Sequence, residues 1–292
     1  MKNKSIFIAI TINIFITISE AAIGLFIGSL ALVSDAVHNF SDVGALSLSW
    51  WGEKAKERSN NKYKTFGYKR VEILIALFNS LVLLGVVVFI LFEAIQRIFN
   101  PTEISSVAMI VVATIALVGN GFATYLLEKD AHKNLNLKSA WLHSLQDALF
   151  SLGVVVGAIL IYFFHWYIID SIISIVLSIY IFKEIYGLLR HIVDILMESV
   201  PRDIDFEKVK EALENFPNVK SANDIHIWQT DSSSRFLSAH VEIENVENGK
   251  RNELLYEMQE KLLRKFNIHH TTIQMVSTTG AEKQKLICNH CN

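Results

Sequence analysis

Six long apolar runs constrain this chain more than any other feature. A helix needs about 20 mostly apolar residues to cross a bilayer. Six stretches meet that need: residues 5–27, 30–51, 71–99, 105–127, 140–164 and 167–189. With 51% hydrophobic residues and a mean hydropathy of +0.34, the chain is too apolar for an ordinary soluble domain. Lys2 and Lys4 ahead of the first run resemble the start of a signal peptide. That run is too long for a signal core, however, and no Ala-x-Ala-like cleavage pattern follows it, so it reads as a retained span.

The second run carries Asp35, His38, Asn39, Ser41 and Asp42, which lowers its hydropathy. Charge placement argues that it crosses all the same. Lys54, Lys56, Arg58, Lys62, Lys64, Lys69 and Arg70 follow it, and Lys129, Lys133 and Lys138 separate runs four and five. With six crossings these clusters share one face with Lys2 and Lys4, as the positive-inside bias requires. Both termini are then expected in the cytoplasm. Trp50, Trp51, Trp166 and Tyr167 suit interfacial belts. Gly24-x-x-x-Gly28 suits close helix approach, and Asn13, Asn79 and Asn120 suit hydrogen bonds between helices.

Pro201 marks a change of composition. Asp203 or Asp205 can cap a helix over 206–216, with Val209, Leu213 and Phe216 on its apolar face. Residues 219–229 and 236–244 alternate as strands, with Asn248-Gly249 closing the second. A helix over 251–265 and a strand over 271–276 complete the order αββαβ. The expected fold is therefore an α-helical membrane protein with six transmembrane helices plus a C-terminal cytosolic α+β domain, ferredoxin-like, with helices on one sheet. Its sheet edge or face can pair with a second copy. The expected divisions are 1–199, 200–277 and a tail, 278–292.

Two pairs carry the chemistry: His38-x-x-x-Asp42 in the second run and His143-x-x-x-Asp147 in the fifth. Positions i and i+4 share a helix face. Two such helices facing each other offer two imidazoles and two carboxylates, a set that suits tetrahedral Zn(II). Two Asp also neutralise a divalent cation. The competing reading is hydrogen bonding between helices. An Asp costs about 2.5–3.5 kcal/mol at mid-membrane on insertion scales, so a repeated costly pair favours the metal site. Glu20 and Asp35 divide evenly between supporting that site, or lining a path to it, and simple interhelical hydrogen bonding. In the tail, Cys288, His290 and Cys291 offer three zinc-type donors, short of a closed tetrahedron. The rival there is an incidental pair of cysteines. A net charge of −2 gives no footprint for nucleic acid.

Several stretches together resemble the cation diffusion facilitator family, in its zinc-type branch, over nearly the whole chain. They are Gly28-Ser29-Leu30-Ala31-Leu32, Ser34-Asp35-Ala36-x-His38-x-x-x-Asp42, Phe66-Gly67-Tyr68-Lys69-Arg70-x-Glu72-Ile73-Leu74, and Asn134-Leu135-Asn136 leading to His143-x-x-x-Asp147. In the soluble part they are Asp224-Ile225-His226-Ile227-Trp228, Ser238-Ala239-His240-Val241 and His270-Thr271-Thr272-Ile273-Gln274. The resemblance implies a six-span homodimer, in membrane lipid, that exports divalent cations from the cytoplasm in exchange for protons. It implies a transport site of His38, Asp42, His143 and Asp147. It also implies a metallochaperone-like cytosolic domain whose metal site draws on Asp224, His226, His240 and His270, with His269 as an alternative to His270. Thr272 stands where some members carry an Asp, which puts a second cytosolic metal in doubt. The loop between spans two and three has no His and that between spans four and five has His132 alone, not the His-rich tract of many vesicular relatives, which favours a prokaryotic plasma-membrane protein.

The function expected is secondary active export, of Zn(II) before Co(II), Cd(II) or Ni(II), by alternating access. The alternative is a non-transporting metal sensor or heterodimer-supporting subunit. An enzyme is not expected, because catalytic zinc keeps an open position and no His-Glu-x-x-His is present.

Overall fold

The structure, a computed structural model, describes residues 2–41, 44, 60–131, 135–244 and 248–277. It divides into two compact units, Met1–Trp51 with Ile75–Leu189 and Gly52–Leu74 with Arg190–Asn292.

The first unit is helical. It is built from α1 (Lys2–Ile27), α2 (residues 30–41), α3 (Arg70–Phe99), α4 (Ser106–Ala131), α5 (Leu135–Phe164) and α6 (Ile168–Leu196). A lipid-embedded backbone must satisfy its own polar groups, and apolar sequence of this length does so only as helix. Four described helices, α3 to α6, are long and apolar enough to cross a bilayer; Thr11–Ile27 in α1 is a shorter apolar stretch. Of the second expected span, residues beyond 44 lie outside the described set. Phe15, Phe26, Phe78, Phe89, Phe92 and Phe163 are exposed on this unit, as lipid-facing side chains are. Its interior holds one cluster around Ala31, Leu32, Met109, Val154 and Ile161. A second joins Leu83 and Val87 to Ile181 and Ile185.

The junction of α1 and α2 is built tightly. Gly28 has φ +74°, a left-handed turn that a side chain would strain. A Cβ on Gly24 would lie 2.9 Å from Leu32 Cβ, so this glycine lets the two helices touch. The spaced glycines thus serve a hairpin rather than a flat helix–helix contact. The free N-terminus of α2 is capped from far along the chain. Asp170, in the first turn of α6, accepts hydrogen bonds from Ser29 Oγ at 2.6 Å, Leu30 N at 2.9 Å and Ala31 N at 3.2 Å. Arg97 of α3 donates to the Gly28 carbonyl and to Glu93. Asn120 behaves as expected, donating to Ser151 across α4 and α5 at 3.2 Å.

The second unit contains α7 (Phe206–Glu214), β1 (Val219–Gln229), β2 (Arg235–Ile243), α8 (Asn248–Phe266) and β3 (His270–Ser277). The strand order is β1-β2-β3, with β1 antiparallel and β3 parallel to β2. Asp205 supplies the cap of α7, accepting from Glu207 N and Lys208 N. Its carboxyl is held below the ordinary aspartate range, by the Lys208 side chain first and then by the helix N–H groups. One face of the sheet packs Leu237, Ala239 and Val241 against Val209, Leu213, Met258 and Leu262. Residues ahead of α3 join this unit, with Phe66 edge-on to Phe236 and Lys69 Nζ donating to Ser234 Oγ at 2.9 Å.

Two local expectations are corrected. Asn248-Gly249 does not close β2; it opens α8, because a residue that suits a turn suits a helix start equally well. The first soluble helix stops at Glu214, with Asn215 as its C-cap, two residues before Phe216.

Asp170→Ala removes three acceptor contacts from a buried helix end, and an unsatisfied buried group costs on the order of 1–3 kcal/mol. The purified protein should melt measurably lower in detergent. Asp170→Asn, which keeps one acceptor oxygen, should fall between; equal melting of all three would remove the cap from the account of stability.

Candidate functional site

His38 lies on α2 and is 1% exposed; Asp147, on α5, is 2% exposed. His38 Nε2 stands 3.4 Å from Asp147 Oδ1, and His143 Nε2 stands 3.8 Å from Asp147 Oδ2. The two imidazole rings lie 5.9 Å apart, edge to face. Three of the four residues expected at the transport site therefore meet on one carboxylate. The fourth, Asp42, lies outside the described residues. His143 is the outer member, with 39% of its side chain accessible. Among the described residues no three His, Cys, Asp or Glu groups already converge closely enough to hold a metal. Both separations exceed the roughly 2.7–2.9 Å of a strong charge-assisted hydrogen bond.

Around this centre the unit is polar in a narrow band. Asn39 donates to Glu20 at 3.1 Å, joining α2 to α1, so Glu20 has the interhelical bond that was one of its two expected roles. Glu20, Asp35, Ser34 and Asn39 are all essentially inaccessible. Two residues not anticipated from sequence approach His38 from α6. Glu184 Oε2 stands 3.6 Å from His38 Nδ1, and the Tyr180 ring lies 5.9 Å from the imidazole. The signal was present: Glu184 and Asp170 are ionisable residues inside an apolar run, which mark function by default.

In the soluble unit a β-bulge shapes the candidate metal centre. Asn223 pairs with His240 and His226 with Ser238, so β1 advances three residues while β2 advances two. The extra residue puts Asp224 at φ +50°, a conformation that Asp tolerates better than most. Its carboxylate then reaches both imidazoles, with Oδ1 2.9 Å from His226 Nε2 and Oδ2 3.6 Å from His240 Nδ1.

His270 is not brought to them within one protomer. Parallel register sets it beside Phe236, where the rings lie 5.4 Å apart, and sets Gln274 beside His240. Phe236 and His240 are four residues apart on β2, about 13 Å at the rise of a strand. Within one protomer, Asp224, His226 and His240 therefore lie together and His270 lies apart from them; His269 precedes β3 and its backbone N–H donates to the Arg235 carbonyl. Matching by sequence stretch overlooked Gln274, which the register alone identifies. Cys288, His290 and Cys291 lie outside the described residues.

Comparison with known proteins follows the same two parts. The family model of the cation efflux transmembrane domain matches residues 6–197. That of the cation efflux protein, cytoplasmic domain, matches residues 201–277. The metal cation efflux system protein CzcD of Cupriavidus metallidurans is 37% identical over 271 residues, covering 93% of this chain and 85% of its own. The zinc transporter ZitB of Pectobacterium atrosepticum is 34% identical over 292 residues, covering 99% and 88%. A cadmium, cobalt and zinc/H(+)-K(+) antiporter of Bacillus subtilis is 34% identical over 273 residues, covering 93% and 88%.

Proposed function

The chain belongs to the cation efflux family as a multi-pass membrane transporter of divalent cations rather than an enzyme, and from that premise we propose that its cargo is Zn(II), bound by His38, Asp42, His143 and Asp147. The observation that carries the reading is the shared carboxylate: one buried Asp147 between imidazoles from two helices. Imidazole and carboxylate are borderline-to-hard donors that suit Zn(II) and Co(II) better than a thiolate-seeking ion such as Cu(I). The names of the zinc and the cadmium, cobalt and zinc relatives support the same cargo.

The imidazoles ligate only when neutral, so protons compete with the cation. Histidine titrates near physiological pH, which makes protons a suitable counter-ion. Export then runs as an exchange, cation outward and protons inward, with the helices alternating access. The proposed setting is the plasma membrane of a bacterium, with both termini cytoplasmic and the soluble domain pairing two copies of the chain. Asp224, His226 and His240 form a second proposed metal position, facing the cytoplasm. The Cys288, His290 and Cys291 tail is proposed to take up metal rather than to transport it.

Zinc flux into proteoliposomes containing a zinc dye, under an imposed pH gradient, tests the transport reading. Wild type should show gradient-dependent flux and Asp147→Ala should show essentially none. Zinc bound by wild type without flux would favour the sensor alternative, and equal flux in both proteins would displace the site.

The second position is read in the Asp147→Ala background, which silences the first. There His240→Ala should weaken residual zinc binding at least tenfold, whereas His270→Ala should change it less than threefold. The reverse order would return His270 to the ligand set.

A further inference from the structure

His38 is held between two carboxylates, one at each ring nitrogen. Its Nε2 faces Asp147 of α5 at 3.4 Å and its Nδ1 faces Glu184 of α6 at 3.6 Å. A neutral imidazole carries its proton on one nitrogen and a lone pair on the other. Only the form protonated at Nδ1 offers Nε2 to a cation shared with Asp147. Ligating histidines commonly give their second N–H to a carboxylate, which fixes the tautomer and raises the basicity of the ligating nitrogen.

Glu184 is itself held for that task. Tyr180, one turn earlier on α6, donates its hydroxyl to Glu184 Oε1 at 2.6 Å, and Gln146 of α5 donates to the Tyr180 oxygen at 2.6 Å. One carboxylate oxygen is thereby occupied and the other is left for the imidazole. The rings of Phe150 and Tyr180 stand edge-on to His38 at 5.5 and 5.9 Å and contact each other at 5.0 Å, which restricts how the imidazole can turn. The 3.6 Å gap is longer than a hydrogen bond. The Glu184 side chain is 46% accessible while His38 is 1% accessible, so the glutamate is the partner free to move in and close it.

We infer that Glu184 is a positioning residue for cation binding: it accepts the Nδ1 proton of His38 and so presents Nε2 to the cation. Tyr180 and Gln146 hold it in place. The inference rests on the transport-site reading above, and Glu184 itself does not touch the cation.

The full-length protein in detergent tests this with two readouts. One is the His38 tautomer, from nitrogen–proton correlations of imidazole-labelled apoprotein. The other is zinc affinity, by competition with a chelating dye in the His240→Ala background, which removes the proposed soluble-domain position. Glu184→Leu should move the His38 proton from Nδ1 to Nε2 and weaken zinc binding about tenfold or more, the range typical of lost outer carboxylates. Glu184→Gln, whose amide oxygen still accepts a proton, should keep the Nδ1–H form and recover most of the affinity. Tyr180→Phe, which removes one hydroxyl and is the variant least able to disturb folding, should weaken binding severalfold.

An unchanged tautomer and an affinity within twofold of wild type, in Glu184→Leu or in Tyr180→Phe, would overturn the inference. So would equal losses in Glu184→Gln and Glu184→Leu without a tautomer change. Asp147→Ala separates the two levels. If it loses zinc while Glu184→Leu keeps it, only the role of Glu184 falls. If Asp147→Ala binds like wild type, the transport site falls as well.

Discussion

Polar groups placed in an apolar bundle must find partners inside it, and the first unit is arranged around that constraint. Lipid offers no hydrogen bonds, so an unmet group costs several kcal/mol there. The start of α2 meets the constraint with Asp170, Asn39 with Glu20, Asn120 with Ser151 and Thr124 with Ser144. These contacts lie within hydrogen-bond distance, at 2.6–3.2 Å. The His38–Asp147 and His143–Asp147 separations, at 3.4 and 3.8 Å, are longer. That contrast is what a transport site requires. Donors locked to each other in strong bonds would resist a cation, whereas donors held near one another by the surrounding helices lose little when one enters.

The same constraint explains how α2 can carry the site. A helix bearing His38, Asn39 and Asp35 in an apolar setting lacks the hydropathy to hold itself in place. It is fixed instead by its neighbours: Gly24 lets α1 approach, Asp170 ties its first turn to α6, and Arg97 ties the preceding turn to α3. The orientation of His38 is thus set by residues from three other helices.

What was legible in the sequence follows from periodicity. Run length located the helices, and the i, i+4 rule put His143 and Asp147 on one face without any knowledge of the fold. The alternation of the soluble strands, and Asp205 as a cap, were equally local signals. What escaped was set by distance or by parity. Asp170 caps a helix some 140 residues away, and no local pattern links the two. Glu184 meets His38 only because α6 packs beside α2. The single extra residue at Asp224 reverses which side chains face which way, and a bulge leaves no reliable mark in sequence. The motif around His270 likewise carries no register: pairing of β3 with β2 sets His270 beside Phe236 and Gln274 beside His240.

The two candidate metal positions share a design and differ in access. In each, one aspartate stands between two imidazoles: Asp147 between His38 and His143, Asp224 between His226 and His240. The Asp147 side chain is 3% accessible, whereas those of Asp224, His226 and His240 are 19%, 51% and 34% accessible. A cation at the exposed position exchanges directly with water, and its occupancy follows the free cation concentration by mass action. A cation at the proposed Asp147 position would be sheltered on the His38 side and open to exchange only past His143. Similar donors in different surroundings therefore suit different tasks, exchange with water at the exposed position and retention of a cation at the buried one.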